Sequence, residues 1–237
     1  MSSIAALAQS EPQVVATFAM QAIIDVDTEI PVAYELLARD TRAKNAPAGP
    51  LMARLTPGGR RRLVYEAVKY AQLMVRVPQS PRMHINLDLE DLDLVAQMGD
   101  LTNITIEIVE GSVDPEALAR AIDAIHDRGG RAAMDDFGST LWTLDAPLKL
   151  AWDVIKLDRG VLSWTREQCS GLQEGLASHC PDVDVCLEGI EAVDHLRVAE
   201  LVGANLLQGY AYGHPLVPPV HPQIGFQEQE FQSREVG

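Results

Sequence analysis

Eight short apolar runs, rich in β-branched residues and mostly separated by helical stretches, constrain this chain more than any other feature. They are FAMQAIIDV (18–26), VAYELLAR (32–39), MHINLDL (83–89), ITIEIVE (104–110), RAAMDDF (131–137), DVIKLD (153–158), DVCLEGI (184–190) and LLQGYAY (206–212). Runs of this length and composition predict strands. The clearest helix between them is DPEALARAIDAIHDRGG (114–130), with Asp114 as N-cap, Pro115 at the first helical position, Glu116 in the first turn and Gly129 as a stop. RRRLVYEAVKYAQLMV (60–75) and AVDHLRVAELVG (192–203) predict two more. Strands that alternate with helices imply an α/β fold with a mainly parallel sheet, and this number of strands suits a (β/α)8 barrel better than an open doubly wound sheet. Only the acidic turn DTEIP separates the first two runs, so they form a hairpin and the first strand runs antiparallel.

The chain has 237 residues, 47% hydrophobic and 22% charged, which is enough for one sizeable core. The organisation expected is an N-terminal extension over 1–16, a barrel over 17–216 and a polar, Pro-containing tail over 217–237. A Pro/Gly/Ala-rich loop occupies 44–59. No run approaches the length of a membrane span, and the N-terminus lacks a basic segment followed by an apolar one. The expectation is a cytoplasmic protein with no membrane partner. Its three cysteines (Cys169, Cys180, Cys186) lack metal-knuckle spacing and read as reduced thiols. A formal net charge of −15, with no basic stripe beyond Arg60-Arg61-Arg62, argues against a nucleic-acid polymer as partner. A small phosphate compound remains compatible with that charge if metal ions reverse its sign locally.

In such a barrel the C-terminal ends of the strands line one mouth. Those ends carry Glu35, Asn86, Glu107, Asp135 with Asp136, Lys156 with Asp158, Glu188 and Gln208. Taken singly, each is more often a solvated residue, a cap or a salt-bridge partner than a functional group. Together they differ, because solvated charges belong on outer helix faces and not inside apolar runs. Hard oxygen donors without a histidine or cysteine among them suit Mg²⁺ or Mn²⁺, not zinc. Lys156 is the group placed to orient a metal-bound water or take its proton. Adjacent Asp135 and Asp136 repel each other unless hydrogen bonds, a cation or a shared proton compensates them. The six histidines pair with no candidate nucleophile, and neither a Gly-rich phosphate loop nor a nucleophile elbow is present.

The motifs YELLAR (34–39), INLDLEDL (85–92), IEIVE (106–110), AAMDDFG (132–138), VIKLDRGVL (154–162), CLEGIE (186–191) and LLQGYAYGHPL (206–216) occur in this order. Together they resemble the EAL-domain family of cyclic di-GMP phosphodiesterases, from about Gln21 to Pro215. The resemblance implies a modified TIM (β/α)8 barrel with an antiparallel first strand, hydrolysing cyclic di-GMP to linear pGpG with two Mg²⁺ or Mn²⁺ ions. It places metal ligands on Glu35, Asn86, Glu107 and Asp135, with Asp136 serving a second cation and Glu188 and Gln208 completing the set. Lys156, Glu35 and Glu188 match the catalytic positions. Gln21 and Arg39 match contacts to guanine and phosphate, and Asp158, Glu191 and Pro215 match further ligand-side positions. Glu110 matches a glutamate that anchors a loop. After DDFG the family pattern of threonine, glycine, tyrosine and two small hydroxyl residues is replaced by Ser139-Thr140-Leu141-Trp142-Thr143. That departure keeps open a catalytically weak protein that acts as a cyclic di-GMP receptor or interaction module. A homodimer and a regulatory protein partner are further expectations of the resemblance.

Overall fold

The computed structural model describes residues 14–41, 49–108, 114–139, 150–227 and 230. The apolar runs become strands β1 (Val14–Asp25), β2 (Pro31–Asp40), β3 (Arg82–Leu87), β4 (Ile104–Ile108), β5 (Arg131–Phe137), β6 (Val154–Leu157), β7 (Asp184–Leu187) and β8 (Leu206–Gln208). From β2 to β8 each strand pairs in parallel with the next. The long β1 closes the barrel, antiparallel to β2 on one side and to β8 on the other. Its hairpin with β2 turns at Asp25, whose carboxylate accepts from the Thr28 amide (2.9 Å) and hydroxyl (2.6 Å). Gln21 lies opposite Glu35 in that hairpin, so two residues of the predicted mouth face one another across a single ladder.

The stretch after 216 is more than a tail. It supplies a further strand, β9 (Ile224–Phe226), which pairs antiparallel with the start of β1 and buries Ile224 and Phe226. Two apolar residues spaced by two are too few to announce a strand by periodicity.

Five α-helices occur among the described residues: α1 (Gly49–Met52), α2 (Pro57–Met74), α3 (Pro115–His126), α4 (Arg166–His179) and α5 (His195–Val202). Thr56 caps α2 and Asp114 caps α3, each followed by a proline. The short α1 falls inside the segment read as a loop. Helix α4 was not among the predicted helices. Its signature is a capping box, in which the Thr165 hydroxyl accepts from the Gln168 amide (3.3 Å) and Gln168 Oε1 accepts from the Thr165 amide (2.9 Å). Gly171 and Gly175 dilute its apolar stripe, leaving only Cys169, Leu172 and Leu176 buried.

Most of the core lies between the helices and the outer face of the sheet. A second, smaller cluster fills the barrel interior: Ile23, Ala33, Ala133, Val154, Cys186 and Leu206. These small and branched residues come from β1, β2, β5, β6, β7 and β8, and they form the apolar floor above which the polar residues converge. Among the described residues, no helix is long and apolar enough to cross a membrane.

Candidate active site

Parallel register brings polar side chains from neighbouring strands to one level. Asn86 on β3 lies beside Glu107 on β4, and His84, two residues earlier on the same face, lies beside Glu35 on β2. Residues two apart on a strand share a face, so these side chains all enter the barrel. At their centre is Lys156. Its ammonium lies 2.7 Å from Glu188 Oε1, 3.0 Å from Glu107 Oε2, 3.0 Å from Asp135 Oδ1 and 3.6 Å from Glu35 Oε2. Burial favours the neutral amine, but Asp135, Glu107, Glu188 and Glu35 outweigh it and hold Lys156 charged, its pKa well above the ordinary value.

The carboxylates differ in how they are held. Glu35 Oε1 accepts from Asn86 Nδ2 (2.7 Å) and Oε2 from Gln208 Nε2 (2.6 Å). Burial raises the pKa of Glu35, but Lys156 and these two amides more than offset it, so Glu35 stays ionised. Burial also pushes Glu188 up, to about 8, against the pull of Lys156. Glu107 is fully buried and is raised well above the usual range by desolvation and by the like charges of Glu35, Asp135 and Glu188.

Successive residues of a regular strand point to opposite faces, which would separate Asp135 from Asp136. The strand does not stay regular. The pairing of β5 with β6 shifts between Met134 and Phe137, and Asp136 takes a left-handed φ of 54°. Such a backbone is uncommon for a non-glycine residue and is tolerated best by Asp and Asn. It lets Asp135, Asp136 and Glu188 present oxygens that all lie within 4.8 Å of one another.

This donor set fits a divalent cation. Hard oxygens are its ligands, and buried acceptors here lack donors: Gln208 Oε1 has no hydrogen-bond partner among the described residues, and Asp135 Oδ1 meets Lys156 only as an ion pair. Orphaned oxygens at this depth are costly unless something positive meets them.

Above these groups a cleft of about 300 Å³ opens, walled by Gln21, Glu35, Asp135, Asp136, Glu188, Glu191 and Gln208, among others. Gln21 Oε1 accepts from Gln208 Nε2 at 3.3 Å. Asn86 and Glu107 lie beneath the cleft rather than on its wall. Arg39 is buried on β2 and donates to the Ala38 carbonyl (2.8 Å). Asp158 caps the turn after β6, accepting from the Gly160 amide (2.7 Å). Pro215 precedes Leu216, which bridges to Met20 of β1. Glu110 and residues 140–143 of the altered loop lie outside the described residues.

Three residues of the site were missed from sequence. Arg159 and Tyr210 line the cleft, and Tyr210 packs its ring 4.1 Å from that of His214. His84 lies within the barrel, its Nδ1 2.7 Å from Glu107 Oε1. Its position two residues before Asn86 was the available signal. Alternation alone places its side chain with that of Asn86.

Comparison with known proteins agrees with this geometry. The EAL domain model matches residues 14–215. Over 135 residues the chain is 28% identical to cyclic di-GMP phosphodiesterase PdeL of Escherichia coli K12, an alignment that spans 54% of this chain but only 37% of PdeL. Among solved structures, a calcium and cyclic di-GMP complex of Klebsiella pneumoniae BlrP1 superposes with a TM-score of 0.73 at 19% identity, covering 89% of this chain and 59% of that one. A standalone EAL protein of Vibrio cholerae O395, bound to cyclic di-GMP, gives 0.67 at 22% identity, covering 86% of this chain and 96% of that one. At those identities the structures speak for the fold, while the family model, matched along most of the sequence, is what identifies the chain as a member of the EAL domain family.

Proposed function

We propose that this protein is a metal-dependent phosphodiesterase that hydrolyses cyclic di-GMP to linear pGpG. The observation that supports it most is the charge of the mouth. Glu35, Glu107, Asp135 and Glu188 surround the Lys156 ammonium, and Asp136 joins Asp135 and Glu188 with oxygens within 4.8 Å of one another; divalent cations bound there would offset the burial and like-charge repulsion that raise Glu107 and Glu188. Two Mg²⁺ or Mn²⁺ ions, when bound, supply charge neutralisation of a phosphodiester and a water acidic enough to attack it at neutral pH. Glu35, Asn86, Glu107 and Asp135 would hold one ion, and Asp135, Asp136 and Glu188 the other.

The chain's own groups complete the task. Lys156, kept as an ammonium, donates hydrogen bonds and so orients the attacking water rather than taking its proton. Asn86 and Gln208 fix both oxygens of Glu35 and hold its plane. On this reading Gln21 and Glu191, which line the cleft, contact the bases, and Arg39, buried on β2, contacts a phosphate. Asp158 serves this reading by shaping the turn that carries Arg159 to the wall.

The test is purified protein with cyclic di-GMP and Mn²⁺ or Mg²⁺, following pGpG by chromatography, beside a Glu35→Ala variant and a chelator control. Product that vanishes in both controls is expected. Unchanged turnover by Glu35→Ala would remove this site assignment, and tight binding without product would make the protein a receptor instead.

A further inference from the structure

We propose that His84 is a positioning residue for Glu107: it occupies one oxygen of that carboxylate, so that Glu107 turns a single oxygen, Oε2, toward the cations. The proposal rests on the reading of the barrel mouth as a divalent-cation site.

The geometry is specific. His84 Nδ1 lies 2.7 Å from Glu107 Oε1, with His84 2% and Glu107 0% exposed. The other oxygen, Oε2, lies 3.0 Å from Lys156 Nζ. With Glu107 ionised, as coordination of a cation requires, its oxygen accepts, so Nδ1 carries the proton and Glu107 sets the tautomer of the ring. Held at both oxygens, the carboxylate cannot rotate about its last torsion, and bidentate coordination is closed to it. Glu35 is fixed by the same device with different donors, Asn86 on one oxygen and Gln208 on the other. The two deepest carboxylates of the site therefore share one principle: each has its plane set by donors on both oxygens, supplied by other strands of the barrel. Partners of this kind orient metal ligands, and losing one typically weakens metal affinity 10–100-fold.

The competing account is that His84 merely fills space above the apolar floor. The two accounts predict opposite orders for two variants. His84→Leu keeps the bulk and removes the N–H. His84→Asn loses bulk but places an amide N–H where Nδ1 was.

The experiment is Mn²⁺ titration of the full chain without nucleotide, by calorimetry, on wild type, His84→Leu and His84→Asn, with a thermal melt of each in chelator to establish folding. Wild type and His84→Asn are expected to bind alike, and His84→Leu about 10–100-fold more weakly. If His84→Leu does not fold, His84→Met, also without an N–H, takes its place. Equal affinity of His84→Leu and wild type overturns the positioning role alone, as does a loss in His84→Asn that matches the loss in His84→Leu. A wild-type protein that binds no Mn²⁺ overturns the cation-site reading, and this inference with it.

Discussion

At the scale of single residues, burial is the term that decides charge in this barrel, and neighbours decide who resists it. Lys156 and Glu35 remain ionised because each has opposite charge or donors on several sides. Burial lowers the pKa of His84 well below the ordinary 6.5, and the positive charges of Lys156, Arg82 and Arg131 lower it further, so the folded ring stays neutral. Below pH ~6.5 the unfolded chain takes up a proton that the folded ring refuses. Stability contributed above that pH is therefore lost as pH falls, by about 1.4 kcal/mol per unit. In chelator, wild type is expected to lose more stability than His84→Asn between pH ~7 and ~5.5, with the gap widening as pH drops. Parallel urea-unfolding curves across that range would contradict the assignment of a neutral buried His84.

At the scale of elements, the short connections after the strands do as much as the strands themselves. Gly189 follows Glu188 with a φ of 72°, and a Cβ there would lie 2.5 Å from Arg159 Cβ, a residue of the cleft wall. Gly209 follows Gln208 so closely packed that a Cβ would collide with the backbone of Ile190. The Ile190 amide donates to the Gln208 carbonyl (3.1 Å) and the Ala211 amide to the Ile190 carbonyl (2.9 Å), so neither segment can retreat without breaking a ladder. Gly209→Ala is therefore expected to displace β8, costing about 1–3 kcal/mol for overpacking and loosening the hold of Gln208 on Glu35. Urea unfolding measures the first effect and Mn²⁺ affinity the second. A variant as stable as wild type would show that the two loops have room that their geometry denies. The irregularity in β5 belongs to the same scale, since it is the backbone at Asp136 that brings two adjacent carboxylates to one side.

At the scale of the whole molecule, a barrel whose mouth gathers five carboxyl groups gains stability from any cation that binds there. A ligand that binds only the folded state stabilises it by about 2.7 kcal/mol at 100 times its dissociation constant. Mn²⁺ is expected to raise the melting temperature of wild type by several degrees and that of Glu35→Ala by much less, as differential scanning fluorimetry would read. Equal shifts would mean that the ions act elsewhere on the surface of this acidic chain. Much of this was legible in the order of residues. Alternating apolar runs and capped helices determined the strands, the hairpin and the barrel, because periodicity and capping are local properties of the chain. The mouth residues were legible too, since a carboxylate or amide at the end of an apolar run has no local reason to be there. Strand β9 and helix α4 were not, because one is three residues long and the other carries a diluted apolar stripe. What only the tertiary structure decided is which groups meet. The pairing of His84 with Glu107, the placing of Lys156 among four carboxylates and the turning of Asp136 toward Glu188 depend on strand register and one irregularity in β5. Register is set by packing across the barrel, between residues far apart in sequence, and no local pattern encodes it.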